Sequence, residues 1–497
     1  MAELIAAISL ATDLGMGQPM EQALRTCLLG IGLGRRLGLS QAQLSEVYYV
    51  VLLRFLGCTA DAHELALHVG GDDRFYRAGL APVLGAPPRE FLPVALRHVR
   101  PTRIPAFLAS GAGPFRQGML AHCELAENLA GRLGLSEAIR HSMTQTFEFW
   151  NGRGLPGKAA GEQIALSARI AFIARDAEVL YRMSGIDATL DTIGRRRRAG
   201  SYDPSLVDLF VKSGRDLLGE LAATASPWDA ALAVEPEPRP WIPEGRLDQI
   251  LEVFADFVDM KSPQLLGHSR QVSALATRAA ESDRLAIRRA GLVHDLGRVA
   301  VPNGTWDKAA SLTGGEREQV RLHAYYSERI VSRCAALSSL AEPVGRHHER
   351  LDGSGYHRGC RAPDLSRSAR ILAVADAFQA MTSDRPWRPA LSRDAAAAEL
   401  TKAVSAGELD RQAVDAVLGA AGQPRVVARV QWPAQLSDRE VEVLRLICHG
   451  QSKKEVGQAL GISPSTADHH VRHIYEKIGV STRAGAAVFA LQHDLLV

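Results

Sequence analysis

Seven residues between positions 245 and 420 are of the types that bind divalent metal ions. They lie in separate apolar segments such as GLVHDLGRVAVP and ILAVADAFQAM: His268, His294, Asp295, His323, His347, His348 and Asp376. Imidazole and carboxylate groups are ligands for hard or borderline divalent metals. A carboxylate next to a histidine in an apolar segment is costly to bury unless something pairs with it. One such histidine would more often be an ordinary core residue, but seven together favour a metal site.

The segments that carry these residues have the apolar spacing of helices. LDQILEVFADFVDM and ARILAVADAFQAM place apolar residues at i, i+3, i+4 and i+7, whereas alternating strand patterns bounded by turn dipeptides are missing from the chain. The sequence therefore predicts an all-α fold, in which several packed helices bring the metal-binding side chains together.

The length of 497 residues is too great for a single hydrophobic core. Two irregular segments rich in Pro or Gly, ATASPWDAALAVEPEPRPWIPEG and GAAGQPRVVARVQWPAQ (419–435), are predicted linkers. They divide the chain into three predicted domains, 1–224, 245–420 and 436–497.

The first two predicted domains resemble a divergent repeat. AHCELAENLA precedes TFEFWNGRGLP by the same distance as LHAYYSERIV precedes HHERLDGSGYH, so that His122 matches His323. In this alignment the other ligand positions are taken by Glu21, Arg54, Phe55, Thr146, Phe147 and Arg175. One histidine cannot hold a dinuclear centre, and arginines at ligand positions would repel cations. The first domain is therefore predicted to be a sensor, a dimerisation platform or a packing partner, unless the two domains are unrelated.

The ordered motifs of the middle domain resemble those of the HD-GYP family of metal-dependent phosphohydrolases. They are GHSRQV, HDLGR, His323, HHERLDGSGY, ADAFQAM and DRPWRPA. The resemblance implies an all-helical HD fold in which the seven residues bind two metal ions, iron or manganese, with Asp295 bridging. It also implies hydrolysis of cyclic di-GMP, and by matching position it assigns substrate contacts to Tyr356, Arg385 and Arg388. The first domain would then be a degenerate HD-like copy.

Phosphodiester hydrolysis agrees with the residue chemistry, because two metals can activate a hydroxide and stabilise the attacking and leaving oxygens. Asp295 and Arg298 are the predicted catalytic residues. Arg298 replaces the family's usual lysine and can stabilise negative charge without giving up a proton near neutral pH. Gln264 replaces a glutamate that helps to bind a third metal, and His357 replaces the GYP proline.

Two functions remain open for this domain at the level of sequence. The intact ligand set favours an enzyme that hydrolyses a nucleotide second messenger, cyclic di-GMP or another phosphoester. Arg298 and His357 favour a sensor that binds a ligand without turnover. Asp352 either orients a histidine ligand or caps the glycine-rich turn.

The last predicted domain resembles the LuxR/NarL helix-turn-helix family over LSDREVEVLRLICHGQSKKEVGQALGISPSTADHHVRHIYEKIGVSTRAGA. Four helices are expected, with Ser437 and Glu440 forming a capping box and Pro464 beginning the recognition helix. By position, Asp468, His469 and Arg472 would face the major groove of double-stranded DNA. The predicted phosphate contacts are Lys454, Thr466, His470 and Lys477. A homodimer on a two-fold DNA site is expected.

The bulk composition fits an intracellular regulator. The six cysteines are scattered without a CxxC pair, which is typical of free thiols in a reducing compartment. The N-terminus lacks a secretory pattern, and no apolar run reaches the length of a membrane span. We therefore expect a soluble, cytoplasmic DNA-binding transcription regulator with no membrane partner.

Overall fold

The fold of the described chain is all-α, as predicted. A computed structural model describes residues 1–422, 432–493 and 495–496, so part of the predicted linker 419–435 lies outside the described residues. Within these ranges the regular structure is helical, and strand-type pairing is confined to two isolated bridges, Asp352–Arg361 and Arg385–Arg388. None of the described helices is both long enough and apolar enough to cross a membrane.

The chain forms two compact units, Met1–Arg246 and Leu247–Val497. The boundary between them falls at the end of the first predicted linker. The finer division into domains 1–224, 245–420 and 436–497 stays a prediction.

The first unit is built around a layer of long helices. Its α-helices are α1 (Ala2–Gly15), α2 (Gln22–Arg36), α3 (Gln41–Leu53), α4 (Ala62–Val69), α5 (Asp73–Leu80), α6 (Pro88–Arg97), α7 (Ile104–Ser110), α8 (Gly113–Arg132), α9 (Glu137–Met143), α10 (Leu166–Arg196), α11 (Pro204–Ala222) and α12 (Pro227–Ala233). Helices α2, α3 and α11 pack against α10 and enclose the apolar core of this unit. Gly185 interrupts α10 with φ 79° and ψ −179°, a conformation open to glycine because it has no Cβ.

The second unit contains the predicted metal-binding segments and the C-terminal helices. Its α-helices are α13 (Glu244–Asp259), α14 (His268–Ala279), α15 (Arg284–Val293), α16 (Asn303–Trp306), α17 (Gly314–Val331), α18 (Ala341–Gly345), α19 (Arg367–Met381), α20 (Arg393–Ser405), α21 (Arg411–Ala421), α22 (Asp438–Cys448), α23 (Lys453–Leu460), α24 (Pro464–Ile478) and α25 (Arg483–Gln492). Helix α14 packs against α15, α19 and α21, which brings segments distant in sequence into one core.

Two glycines show that the two units share a local architecture. A Cβ atom on Gly297 would lie 2.0 Å from the carbonyl oxygen of His323, and a Cβ atom on Gly57 would lie 2.0 Å from that of His122. Real side chains do not tolerate such an approach, so each site requires glycine. The equivalent contacts support the predicted repeat, because His122 and His323 are the residues that the sequence alignment pairs.

The beginnings of α2 and α14 correct one position of that alignment. Glu21 precedes α2 with φ 76°, and Gly267 precedes α14 with the same φ. Gln22, the first residue of α2, therefore occupies the position of His268, where Glu21 had been predicted. The error of one residue arose because the local sequence identity is weak and backbone conformation is invisible in the residue types.

A buried carboxylate confirms this register at each helix start. Asp13 accepts a hydrogen bond from the amide of Ala23 at 3.1 Å, and Asp259 accepts one from the amide of Ser269 at 2.8 Å. The two pairs have equal spacing along the chain. Because the first amides of a helix lack partners within the helix, each carboxylate serves as a cap from a neighbouring helix.

Candidate metal centre and nucleic-acid interface

The structure brings the seven predicted metal ligands together in the second unit. They come from the start of α14, the end of α15, the middle of α17, the segment after α18, and α19. Their ligand atoms form three overlapping groups, each with all atoms within 4.8 Å of one another: His323, His347 and His348; His268, His294 and Asp295; His294, His347 and Asp376.

The histidine Nε2 atoms point at the two carboxylates. His268 Nε2 lies 3.0 Å from Asp376 Oδ1, and His294 Nε2 lies 3.1 Å from Asp295 Oδ2. His323 Nε2 lies 3.3 Å from Asp295 Oδ1, so that the two oxygens of Asp295 face different histidines. These side chains are at most 4% exposed.

Backbone carbonyls fix the orientation of three of the histidine rings. In each case Nδ1 donates to the carbonyl oxygen three residues earlier in the helical turn: Gly291 for His294 (2.8 Å), Val320 for His323 (2.5 Å) and Val344 for His347 (2.5 Å). A proton on Nδ1 leaves the lone pair on Nε2, which faces the centre. This is the outer-shell support that metal-binding imidazoles commonly have.

The polar atoms at the centre fit a bound cation better than they fit one another. Within the described residues, both nitrogens of His268, Nε2 of His294, both oxygens of Asp295 and Oδ1 of Asp376 are buried without a well-directed hydrogen bond. Buried polar atoms normally find partners, because leaving them unpaired is costly. Divalent metal ions would satisfy these imidazole and carboxylate atoms together.

The electrostatics of the centre hold Asp295 ionised and His347 neutral, which are the metal-binding states, whereas His294 carries a proton that a metal must displace. Burial opposes ionisation of Asp295, but Arg298 and His294 outweigh it and hold the pKa of this carboxyl well below its usual range. Burial, helped by the neighbouring His294 and His323, lowers the pKa of His347 to about 3, so that this ring is neutral. Burial also opposes protonation of His294, but Asp295 and Asp376 raise its pKa to about 10. Metal binding would displace that proton.

A cleft of about 180 Å³ opens above the centre. Arg298, Tyr356 and Arg385 line it, as do the ligands His323, His348 and Asp376. Arg298 Nε lies 2.9 Å from Asp295 Oδ2, and the Tyr356 ring stacks on His348 with ring centroids 4.3 Å apart. Two of the three predicted substrate contacts, Tyr356 and Arg385, therefore line the same cleft as the predicted metal ligands.

Arg388, the third predicted substrate contact, has different neighbours in this structure. Its guanidinium donates to the carbonyl oxygens of Ala380 at 2.6 Å and Met381 at 2.9 Å, at the end of α19. These bonds tie the segment after α19 to the helix and turn the guanidinium away from the cleft lining. A substrate contact by Arg388 stays a prediction.

The glycine-rich loop after His348 is held by a residue that the sequence did not single out. Asp352 is exposed and accepts from the amide and hydroxyl of Ser354 at 2.9 and 2.7 Å, so it caps the turn. Buried Glu349 accepts from the amides of Arg358 and Cys360 at 3.1 and 3.0 Å. Its adjacency to the two histidines was the signal available in the sequence.

Two tryptophans of the cleft were also missed. Trp306 lies with its ring centroid 4.8 Å from the Arg298 guanidinium, and Trp387 stands at the edge of the cleft. Both occur in a chain with only six tryptophans, and Trp387 lies inside the DRPWRPA motif.

Helices α22–α25 form the predicted helix-turn-helix, and α24 exposes one face. Lys454, Thr466, His469 and Arg472 are exposed, while Asp468, His470 and Lys477 are half-buried. Asp468 pairs with Arg472 at 2.6 Å and also with Lys453. Lys477 donates to Glu440 at 2.8 Å, so its charge is already paired within the domain. The individual DNA contacts stay predictions.

Comparisons with known proteins agree with both sites. The sequence profile for the HD domain matches residues 252–413, and that for bacterial regulatory proteins of the luxR family matches residues 434–490. The 3'3'-cGAMP-specific phosphodiesterase 3 of Vibrio cholerae is 30% identical over 415 residues, which are 80% of this chain and 90% of that protein. A cyclic di-GMP phosphodiesterase of Thermotoga maritima is 35% identical over 148 residues, 28% of this chain and 39% of that protein.

Similarity of fold extends beyond the metal-binding segments. A crystal structure of a cyclic GMP-AMP-specific phosphodiesterase of Vibrio cholerae (V-cGAP3) matches with a TM-score of 0.59 and 25% identity, covering 86% of this chain and 99% of that one. The fold and the ligand cluster thus define an HD-domain hydrolase fused to a helix-turn-helix domain. The chain belongs to the HD-GYP-type family of cyclic dinucleotide phosphodiesterases and carries a luxR-family DNA-binding domain.

The metal centre can be tested by elemental analysis of the purified full-length protein. The double variant His294→Ala/Asp295→Ala should lose nearly all bound transition metal, because it removes ligands from two of the three overlapping groups. His122→Ala changes the residue of the first unit that matches His323; it serves as the control and should keep the wild-type content. Equal metal content in the double variant and the wild type would rule out the centre.

The base-reading role of α24 can be tested at Arg472. Arg472→Ala should reduce discrimination between a selected duplex and a scrambled one by about 1–3 kcal/mol, the range for a good bidentate base contact. Arg472→Lys keeps the charge but loses the planar donor pair, so it should lose discrimination while the salt dependence of binding is kept. Titrations of labelled duplexes measure both quantities. Unchanged discrimination in Arg472→Ala would contradict the assignment.

Proposed function

We propose that this protein hydrolyses a cyclic purine dinucleotide at a centre of two divalent transition metals, iron or manganese, and couples nucleotide binding to DNA binding as a homodimer. The observation that carries the proposal is the convergence of seven ligand residues beneath a cleft that contains two arginines. The named activities of the relatives, on 3'3'-cGAMP and cyclic di-GMP, support this substrate class.

All seven residues would hold the metals, with Asp295 as the bridging ligand. One oxygen of Asp295 faces His294 and the other faces His323, which suits a carboxylate shared by two ions. Bound in this way, the metals would supply a hydroxide nucleophile and charge stabilisation at phosphorus.

Two arginines of the cleft would bind the substrate phosphates. Nη1 of Arg298 is buried without a hydrogen bond in the described residues, and Arg385 presents planar donors at the same cleft. Burial, helped by Arg298, lowers the pKa of Arg385 to about 10, so it stays protonated near neutral pH. Burial raises the pKa of Tyr356 to about 12, so its phenol keeps its proton and can donate to a phosphate oxygen.

The alternative of a sensor without turnover is less well supported. Arg298, the main departure from the family pattern, lies beside Asp295 and inside the cleft, where a fixed positive charge can stabilise the developing negative charge. Arginine in place of the usual lysine cannot give up a proton near neutral pH. It still supplies the positive charge that stabilises the negative charge developing on the substrate.

Hydrolysis can be tested with protein loaded with Mn²⁺, or with Fe²⁺ under anaerobic conditions. We expect conversion of 3'3'-cGAMP or cyclic di-GMP to linear products, followed by chromatography. Arg385→Ala should lower kcat/KM by about 10-fold or more, because a charge-assisted hydrogen bond contributes about 1.5–3 kcal/mol. Arg385→Lys should recover part of the loss, and His122→Ala should behave as wild type. Failure of the metal-loaded wild type to cleave any cyclic dinucleotide would contradict the proposal.

One short segment gives the proposed coupling a physical basis. The turn Pro263–Leu265 lines the cleft through Gln264 and Leu265, and the carbonyl of Gln264 accepts from Arg385 at 3.0 Å. The same turn touches the DNA-binding domain, where His449 Nδ1 lies 3.4 Å from the carbonyl oxygen of Pro263. A ligand that displaces Arg385 would alter the turn, and a difference in ligand affinity between two states is what coupling requires.

Coupling is measured by titrating a duplex with full-length protein, with and without 3'3'-cGAMP or cyclic di-GMP, in catalytically inactive metal conditions. We expect DNA affinity to change by about 5- to 150-fold, which corresponds to a coupling of about 1–3 kcal/mol. The fragment 430–497 lacks the cleft and should not respond. If no nucleotide changes the DNA affinity of the full-length protein by even about twofold while the cleft still binds one, the two activities share a chain but are not coupled.

A further inference from the structure

Trp387 presents an exposed aromatic ring at the edge of the substrate cleft. The residue is 52% exposed, although large apolar side chains are usually covered, and it lines the same cleft as Arg298 and Arg385. An exposed indole beside a row of phosphate-binding groups is an arrangement that nucleotide-binding proteins use for bases.

The backbone holds this ring in place. Arg385 and Arg388 exchange hydrogen bonds across the turn, with Arg385 N donating to Arg388 O at 2.9 Å and Arg388 N donating to Arg385 O at 3.1 Å. Pro386 restricts the first central position, and Trp387 follows it. The Arg388 guanidinium fastens the turn to the end of α19 through the carbonyls of Ala380 and Met381. The exposed indole is therefore carried by a rigid turn, which lowers the entropic cost of stacking.

The other aromatic rings of the cleft already have partners. The Trp306 ring contacts the Arg298 guanidinium, and Tyr356 stacks on His348. No comparable ring or cation contact is found for Trp387 among the described residues. The indole ring of Trp387 is therefore available to stack on a planar group of the substrate.

We propose that Trp387 stacks on one purine base of the cyclic dinucleotide and thereby selects nucleotides over phosphodiesters without bases. The inference rests on the proposed function and adds a recognition role to it. Arg298 and Arg385 hold the phosphates near the metal ligands, while Trp387 holds a base at the mouth of the cleft. Because every base offers a stacking face, this contact explains preference for a class of substrate and leaves the choice among purines to other groups.

The test compares Trp387→Ala, Trp387→Phe and wild type in the full-length, metal-loaded protein. Each is assayed with 3'3'-cGAMP, with cyclic di-GMP and with methyl 4-nitrophenyl phosphate, a phosphodiester without a base. The ratio of kcat/KM for the dinucleotide to kcat/KM for the small ester should fall at least fivefold in Trp387→Ala, the lower end expected for loss of one stacked base (about 1 kcal/mol). Trp387→Phe should recover part of the ratio. Trp241→Ala removes another exposed tryptophan, 83% exposed and outside the cleft, and should match the wild type.

The outcomes separate this inference from the proposed function. A loss of general structure would lower both kcat/KM values together and leave the ratio unchanged, and an unchanged ratio overturns the stacking role while hydrolysis stands. Equilibrium dialysis of the same dinucleotides gives Kd without turnover, so an at least fivefold higher Kd in Trp387→Ala supports stacking even if the wild type does not cleave. If the wild type binds neither dinucleotide, both the function and the stacking role are wrong.

Discussion

The structure of the second unit depends on the burial of two ionised carboxylates. Asp295 and Asp376 are almost fully enclosed, yet neighbouring positive and hydrogen-bonding groups hold both pKa values well below the usual range. Removing a charge from water is expensive unless counter-charge and directed partners replace the lost hydration. The convergence of five chain segments, the carbonyls behind the histidines and the nearby Arg298 guanidinium all supply part of that compensation. Divalent metal ions would supply the remaining positive charge and would give the site its catalytic chemistry.

The first unit places different side chains at the positions of Asp295 and Asp376. Phe55 stands at the position of Asp295, and Arg175 stands at that of Asp376. The Arg54 guanidinium lies 5.0 Å from the ring centroids of both Phe147 and Phe172, where aromatic faces can stabilise a cation. Burial, with Arg175 nearby, lowers the pKa of Arg54 to about 9. Side-chain cations and aromatic rings thus fill the place where the second unit has its ligand cluster.

The ligand cluster could be predicted from the sequence because histidine and aspartate are unusual residues in apolar helices. The helical spacing and the order of the motifs can also be seen directly along the chain. The one-residue error at Glu21, the missed hydrogen bonds of Glu349 and the missed position of Trp387 at the cleft have a common cause. They depend on backbone conformation and on contacts between segments, which residue types do not encode. Arg388 illustrates the same limit, since the carbonyls of Ala380 and Met381 at the end of the preceding helix decide where its guanidinium points.

In the DNA-binding domain, by contrast with the metal centre, most charged side chains lie at the surface. Residues 436–497 contain seven basic and seven acidic residues, so the formal net charge of the domain is zero. On α24, Asp468 neutralises Arg472, and Lys477 is paired with Glu440. The Asp468–Arg472 pair lies at the surface, and pairs of this kind are weak, about 0–1 kcal/mol, and can be exchanged for phosphate or base contacts. In the proposed homodimer, this low overall charge would make the position and pairing of the two DNA-binding domains decisive for affinity, and the proposed nucleotide site could thereby control where the protein binds DNA.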